Sequence, residues 1–258
     1  MTSDLNIVAL VSIGQHPKSG RARRAEQDAR AVELGMRLAG DNVQVLHAGD
    51  AAEETLRQYA GMGLKSLRVL QQSPQADAVV ALGDYLAEHR ADVVLTGVRA
   101  ESGESSGMAP YLLAEKLGWP LVTRIADIVS IENGEAQILQ ALPRGQRRAI
   151  QVRLPFVASV DMAAQVARQS AFGPGRRAEL ESLPWVETPD SERAQFKEAP
   201  ARKRPKRLKK VKATTAAERF KAATAKSQGT GGRIIKDQPP TEQAQAIFDL
   251  LLEEGVLR

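Results

Sequence analysis

The chain contains no cysteine among its 258 residues. That excludes a disulfide framework and thiolate metal sites, and it suits a reducing compartment, so the cytoplasm is the expected location. Histidine is scarce as well. His16, His47 and His89 stand far apart in the sequence, which argues against a histidine metal site. No apolar segment approaches the roughly 20 residues of a spanning helix, so membrane insertion is not expected. The start, MTSDLN, lacks the basic stretch and apolar run of a secretory signal. Neither GxGxxG nor GxxxxGKS/T occurs, so the usual dinucleotide and P-loop fingerprints are missing. No nucleophile–base pair stands out.

What is present begins with charge. The net charge is +5, but the run RKRPKRLKKVK at 202–212 alone holds eight basic residues. The rest of the chain is therefore mildly acidic, at −3. A nucleic-acid contact would want aromatics interleaved with that run, and Pro205 prevents one continuous helix there. A solvated or subunit-spanning arm fits it better, and no nucleic-acid partner is expected.

Residues 1–122 alternate between two kinds of segment. The apolar runs 7–13, 43–48, 66–70 and 92–96 read as buried strands. Between them, stripes at steps of three and four residues predict helices over 25–39, 52–63 and 76–87. Repeated strand–helix–strand units imply a doubly wound, mostly parallel α/β sheet with helices on both faces. RIADIVSIENGEAQILQAL (124–142) reads as a hairpin about Asn133-Gly134. With the strand-like 147–162, it predicts an antiparallel extension. From about Ala163 the pattern fades into a Gly/Pro loop, with a short helical run at its end. Residues 191–232 are too polar to order themselves. An amphipathic helix then follows, with Thr241 as its expected N-cap. The expected division is a nucleotide-binding α/β domain over 1–190, including a loop at 167–185, and an arm with a terminal helix over 191–258.

The stretch GVRAESGESSGMAP (97–110) joins a buried strand to a helix. In an open parallel sheet, ligands sit beyond the carboxyl ends of the strands. Free N–H groups at a helix start, small residues and the Ser105 and Ser106 hydroxyls make this loop a candidate phosphate site. Glu101 and Glu104 would then point outward, or onto a ribose or a backbone amide. The plainer alternative is a connector whose serine caps the helix.

The run LTGVRAESGESSGMAPYLLAEKLGWPLVT resembles the β subunits of electron transfer flavoproteins. There a strand ends in Gly-x-Gln-Ala-x-Asp-Gly-Asp-Thr and a helix in Ala-Glu-x-Leu-Gly-x-Pro. ARAVELGMRLAG, TLRQYAGMGLKSLRVL and RGQRRAIQVRLPFVASVDM are similar to further segments of that family, in the same order from about residue 7 to 185. The resemblance implies an adenine-nucleotide alpha-hydrolase-like sheet plus an extended C-terminal arm ending in a helix. It also implies a heterodimer with an α subunit that carries most of the FAD, and electron transfer from a flavoprotein dehydrogenase to an acceptor. The chain's own few aromatics, 4% of residues, agree with a flavin held elsewhere.

In that family the β subunit holds AMP as a structural ligand. Matching positions put the nucleotide at Leu10, at Ala25, Glu26, Gln27 and Asp28, and at Ala48 and Gly49. The remaining matches are Glu104, Ser105, Ser106, Gly107, Met108 and Pro110. Departures are plain. Ala25-Glu26 stands where Asn-Pro is common, Ser105 and Glu104 replace Thr and Asp, and Pro-Arg-Gly-Gln-Arg-Arg (143–148) reverses an acidic centre. They leave open whether the crevice holds AMP, a second FAD or no nucleotide. The family's recognition loop for the dehydrogenase corresponds to QSAFGPGRRAEL (169–180). Its leucine anchor is missing, and Phe172, Gly173, Pro174, Arg176 and Arg177 are the docking candidates. Phe172 folded back onto the domain is the equal alternative. His16 would approach the partner's flavin, and the arm would bind an acidic face of the α subunit.

Two other classes compete. An ATP pyrophosphatase-type enzyme would need a Ser-Gly-Gly-x-Asp-Ser loop after the first strand, where SIGQHPKSG stands instead. A universal-stress-like sensor would have no use for the long arm.

Overall fold

The computed structural model describes residues 5–101, 105–197, 199, 201, 215–224, 235–236 and 238–253. The chain divides into two units between Phe196 and Lys197.

The first unit is built on strand β1 (Ile7–Leu10), a small hairpin β2 (Ile13–Gln15) and β3 (Ala22–Arg24), and helix α1 (Glu26–Ala39). Then follow β4 (Gln44–Gly49), α2 (Leu56–Ala60), β5 (Ser66–Gln71), α3 (Ala78–Glu88), β6 (Val93–Gly97) and α4 (Ala109–Leu117). The later elements are β7 (Leu121–Glu132), β8 (Glu135–Ala141), β9 (Arg147–Arg153), β10 (Phe156–Val160), α5 (Phe172–Arg177) and β11 (Glu179–Pro184). Nine strands form one sheet in the order β11-β5-β4-β1-β6-β10-β7-β8-β9. All neighbours from β11 to β7 run parallel, and β8 and β9 add on antiparallel.

The apolar stripes explain the layers. Ala29, Val32 and Met36 of α1 pack with Tyr59 of α2 and Met62 on one face, against Ile7, Ala9 and Leu95. Ala81, Tyr85 and Leu86 of α3 join Leu113 of α4 on the other face, against Val8, Leu46 and Val94. Side chains alternate along a strand, so one apolar run serves both cores. The hairpin turn lies at Asn133-Gly134, where both residues have positive φ (52° and 77°), as a tight two-residue turn requires.

Several boundaries differ from expectation. The strand expected over 7–13 ends at Leu10, because Ser12 turns out of the ladder to bind Asp28. The second helix shrinks to five residues, since Gly61 and Gly63 (φ 108°) end it at once. The segment 156–160 is not part of the antiparallel extension. It enters the sheet between β6 and β7 as a parallel strand with all five residues buried. Its unbroken apolar run is the signature of a central strand. The end of the 167–185 loop is β11, not a helix. It lies parallel to β5, and its Leu180 and Leu183 pack on opposite faces.

In the second unit, α6 (Ala216–Thr224) forms within the stretch expected to lack order. A reciprocal cap starts it: Thr215 N–H donates to Glu218 and Glu218 N–H to Thr215 Oγ1. Helix α7 (Pro240–Glu253) begins one residue before the expected cap. Pro239 O accepts from Glu242 and Gln243, so Pro239, and not Thr241, sits at the cap, with Pro240 in the first turn, where a missing N–H costs nothing. The basic run 202–212 lies outside the described residues.

Candidate functional site

The strand order reverses at β1, with β4 and β5 on one side and β6 on the other. At such a point the loops diverge and leave a crevice at the carboxyl edge. A cleft of about 190 Å3 lies there. Its apolar lining comes from Leu10, Val79 and Leu82 on one hand, Pro110 and Leu113 on the other. Two apolar walls suit a flat heterocycle. Its polar lining is Ser12, Asp28, His47, Thr96, Arg99 and Ser105.

Asp28, only 4% exposed, organises this edge. One carboxylate oxygen accepts from the Ser12 N–H (2.8 Å) and hydroxyl (2.6 Å), the other from the Gly97 N–H (3.1 Å). The start of α1 is thereby tied to the ends of β1 and β6. Burial pushes the Asp28 pKa up to about 6, against the opposing pull of its three donors, and the nearby Glu101 charge adds to the rise. His47 donates its Nδ1–H to the Val11 carbonyl at 2.8 Å, and burial lowers its pKa. A carbonyl can only accept, so this contact fixes the tautomer.

Glu101 is the second organiser. Its carboxylate takes the N–H groups of Glu26 (2.9 Å) and Gln15 (3.2 Å), and it pairs with Arg23 at 2.9 Å. The acid expected on a ribose or a backbone amide thus sits on backbone amides, at the positive end of α1. A neighbouring cleft of about 390 Å3 shares Arg99, Ala100 and Ser105 with the first.

A sequence profile for the electron transfer flavoprotein domain matches residues 19–187. An electron transfer flavoprotein subunit beta from Chromohalobacter salexigens is 52% identical over 261 residues, spanning 100% of this chain and 98% of that protein. The chain belongs to the electron transfer flavoprotein β-subunit family. It is also similar to YgcR of Escherichia coli (strain K12), which bears the name of an electron transfer flavoprotein subunit. That match is 29% identical over 150 residues, 55% of this chain and 57% of the relative.

In this electron transfer flavoprotein chain, Leu10, Asp28, Ala48, Ser105, Gly107 and Pro110 line the cleft together. Glu26 and Gln27 line the neighbouring one, and the Gln27 carboxamide accepts from the Val98 (3.1 Å) and Arg99 (3.4 Å) N–H groups. Ala25 is buried, and its N–H donates to the Tyr59 hydroxyl at 2.7 Å. Gly49 leaves room for the His47 ring, whose Nε2 a Cβ would meet at 2.4 Å. Ser106 accepts from the Met108 N–H, and the Met108 side chain is exposed. Glu104 lies outside the described residues. Ser12, His47, Thr96 and Arg99 were missed by sequence reasoning. Ser12, His47 and Thr96, polar residues within or at the end of apolar runs, carried a local signal, and Arg99 carried none.

The loop with Phe172 is held from below. Arg57 donates to the Gly175 (3.0 Å) and Ala178 (3.4 Å) carbonyls, and Arg168 grips Glu33 through Nε (2.8 Å) and Nη2 (2.9 Å). Gly175 packs on α2 so closely that a Cβ would stand 2.6 Å from the Arg57 carbonyl. Phe172 opens α5 and is 84% exposed, so the folded-back alternative is not adopted. Gly173 and Pro174 follow it, and Arg176 reaches Glu54 at 3.6 Å while Arg177 lies against Gly173.

Proposed function

We propose that this chain is the β subunit of a heterodimeric electron transfer flavoprotein, a carrier and not an enzyme. It passes electrons from a flavoprotein dehydrogenase to an acceptor through FAD held mainly by the α subunit. The observation that carries this reading is the match, end to end, with a protein named as subunit beta. FAD supplies reversible electron uptake. The chain's own part is to hold a nucleotide, seat the partner and present a docking surface.

The nucleotide is AMP, bound in the cleft between α3 and α4. The cleft's two apolar walls suit a purine ring, which supports an adenine mononucleotide there. Phe172, flanked by Arg176 and Arg177 on a braced loop, has the makeup of an interface anchor for the dehydrogenase. Residues 191–258 act as an arm whose helix α7 docks on the α subunit. No described helix is long and apolar enough to cross a membrane; the cytoplasm is the proposed location of the complex.

Expressed alone, the chain should be colourless; co-expressed with its α partner, it should purify as a yellow heterodimer. Stoichiometric flavin on the lone chain would overturn the division of labour.

A further inference from the structure

Helix α5, which displays Phe172, has little in its own sequence to hold it. It is six residues long, FGPGRR, with two glycines and a proline among them. So short a helix is marginal in water even for good helix formers, and these are the poorest. Its order must come from outside.

The support is α2. Arg57 reaches across with one Nη1 group, which donates to the Gly175 carbonyl at 3.0 Å and the Ala178 carbonyl at 3.4 Å. These are late carbonyls of the kind a helix end leaves without an internal partner. The next donor along, the Glu179 N–H, goes to the Lys65 carbonyl at 3.0 Å instead. At the start of α5 the Gly61 carbonyl accepts from the Ala171 N–H at 2.9 Å. Two glycines let the elements meet. A Cβ on Gly61 would stand 2.8 Å from the Ala171 carbonyl, and one on Gly175 2.6 Å from the Arg57 carbonyl.

The stem of Arg57 is itself fixed. Leu56 and Tyr59 on either side are fully buried. Gln58 accepts from the Arg24 N–H at 3.1 Å, and the Tyr59 hydroxyl donates to the Ser12 carbonyl at 2.8 Å. Glu54 adds little, since its carboxylate is 77% exposed and lies 3.8 Å from Arg57 and 3.6 Å from Arg176.

We propose that Arg57 is the positioning residue of the docking loop. It keeps α5 folded, so that Phe172 is already in place when the dehydrogenase arrives. A surface ordered in advance is spared the entropy cost of ordering on contact. Arg57 therefore governs how readily the dehydrogenase is captured, and not how fast an electron passes once the two are seated. This rests on the reading that Phe172 docks the dehydrogenase.

The test compares heterodimers carrying wild-type chain, Arg57→Gln, Arg57→Lys, Phe172→Ala and the double variant Arg57→Gln/Phe172→Ala. The probe is the flavoprotein dehydrogenase that reduces the wild-type heterodimer. Arg57→Gln should raise the KM for the heterodimer about tenfold, the scale of one charge-assisted hydrogen bond, with kcat and the rate of reduction by dithionite unchanged. Arg57→Lys, whose ammonium can still donate to a carbonyl, should recover part of the loss. The double variant should be no worse than Phe172→Ala, because an anchor that is absent cannot be misplaced. Chymotrypsin cleavage after Phe172, followed by mass spectrometry, should be about tenfold faster in Arg57→Gln, as for a locally opened segment. A wild-type KM in Arg57→Gln, a loss that adds in full to that of Phe172→Ala, or a fall in kcat instead of a rise in KM would overturn the proposal while leaving the docking loop standing. A Phe172→Ala heterodimer that is reduced like the wild type would remove the docking reading, and the proposal with it.

Discussion

Helices α1 and α7 are each 14 residues long and each carry an apolar stripe, yet their fates are opposite. In α1 every residue from Asp28 to Met36 is buried, including three charged ones, because the helix lies against the sheet and its polar groups find partners there. In α7 no residue is buried, and Ile247, Phe248, Leu250 and Leu252 are between 45% and 60% exposed. An apolar stripe states only that a helix wants a neighbour. Whether the neighbour belongs to the same chain is decided elsewhere, and exposed apolar surface of this kind marks an interaction site.

Matched substitutions would break or sharpen this contrast. The largest effect should come from Val32→Asp, which buries an unpaired charge in α1. Loss of about 3–5 kcal/mol or outright unfolding is expected by circular dichroism. The same change in α7, Ile247→Asp, should leave the melting temperature of the lone chain unmoved. It should instead weaken association with the α subunit by about a hundredfold, as for an interface anchor. If both variants unfold the chain, or neither touches assembly, the contrast is wrong.

Asp28→Asn is the next step down. An amide has one acceptor oxygen for the two sets of donors at Ser12 and Gly97, so one buried N–H loses its partner, at about 1–3 kcal/mol by denaturant unfolding. Phe172→Ala should slow electron uptake from the dehydrogenase by about tenfold with the fold intact, since the side chain is outside the core. Stopped-flow rates equal to wild type would dismiss the docking role.

The smallest effect is on pH. The Asp28 carboxyl titrates near 6 in the folded chain, above its unfolded range, so the folded state holds the extra proton. Its contribution to stability therefore grows as pH falls from about 7 toward 4, and is lost as pH rises through about 6. The acids held low by their donors, Glu33 and Glu53, act the other way and only below the ordinary carboxylate range. Melting curves from pH 7 to 5 should show the Asp28 slope in the wild type and a flatter one in Asp28→Asn.

Much of the frame was legible because it rests on local periodicity. The parallel strands, α1, α3, the Asn133-Gly134 turn and the crevice loop all announce themselves within a dozen residues. The misplaced strands share one cause, which is long-range pairing. The run 156–160 looks like more hairpin until β6 and β7 are seen to leave a slot for it. The 179–184 segment, with two leucines among acids, becomes a strand because β5 has an open edge. Ser105 and Ser106 were chosen for their hydroxyls, and nothing nearby in the chain shows that the loop uses those hydroxyls itself.

The sequence alone therefore determined the α/β class and the family, and pointed to the edge of the sheet with the candidate crevice, since these follow from patterns repeated along the chain. Tertiary structure alone decided which polar groups at that edge are spent and which are free. Glu101 and Glu26 are 75 residues apart, and Asp28 and Gly97 69 apart. A hydrogen bond is settled by distance in space, and only the folded sheet brings such groups to about 3 Å of each other.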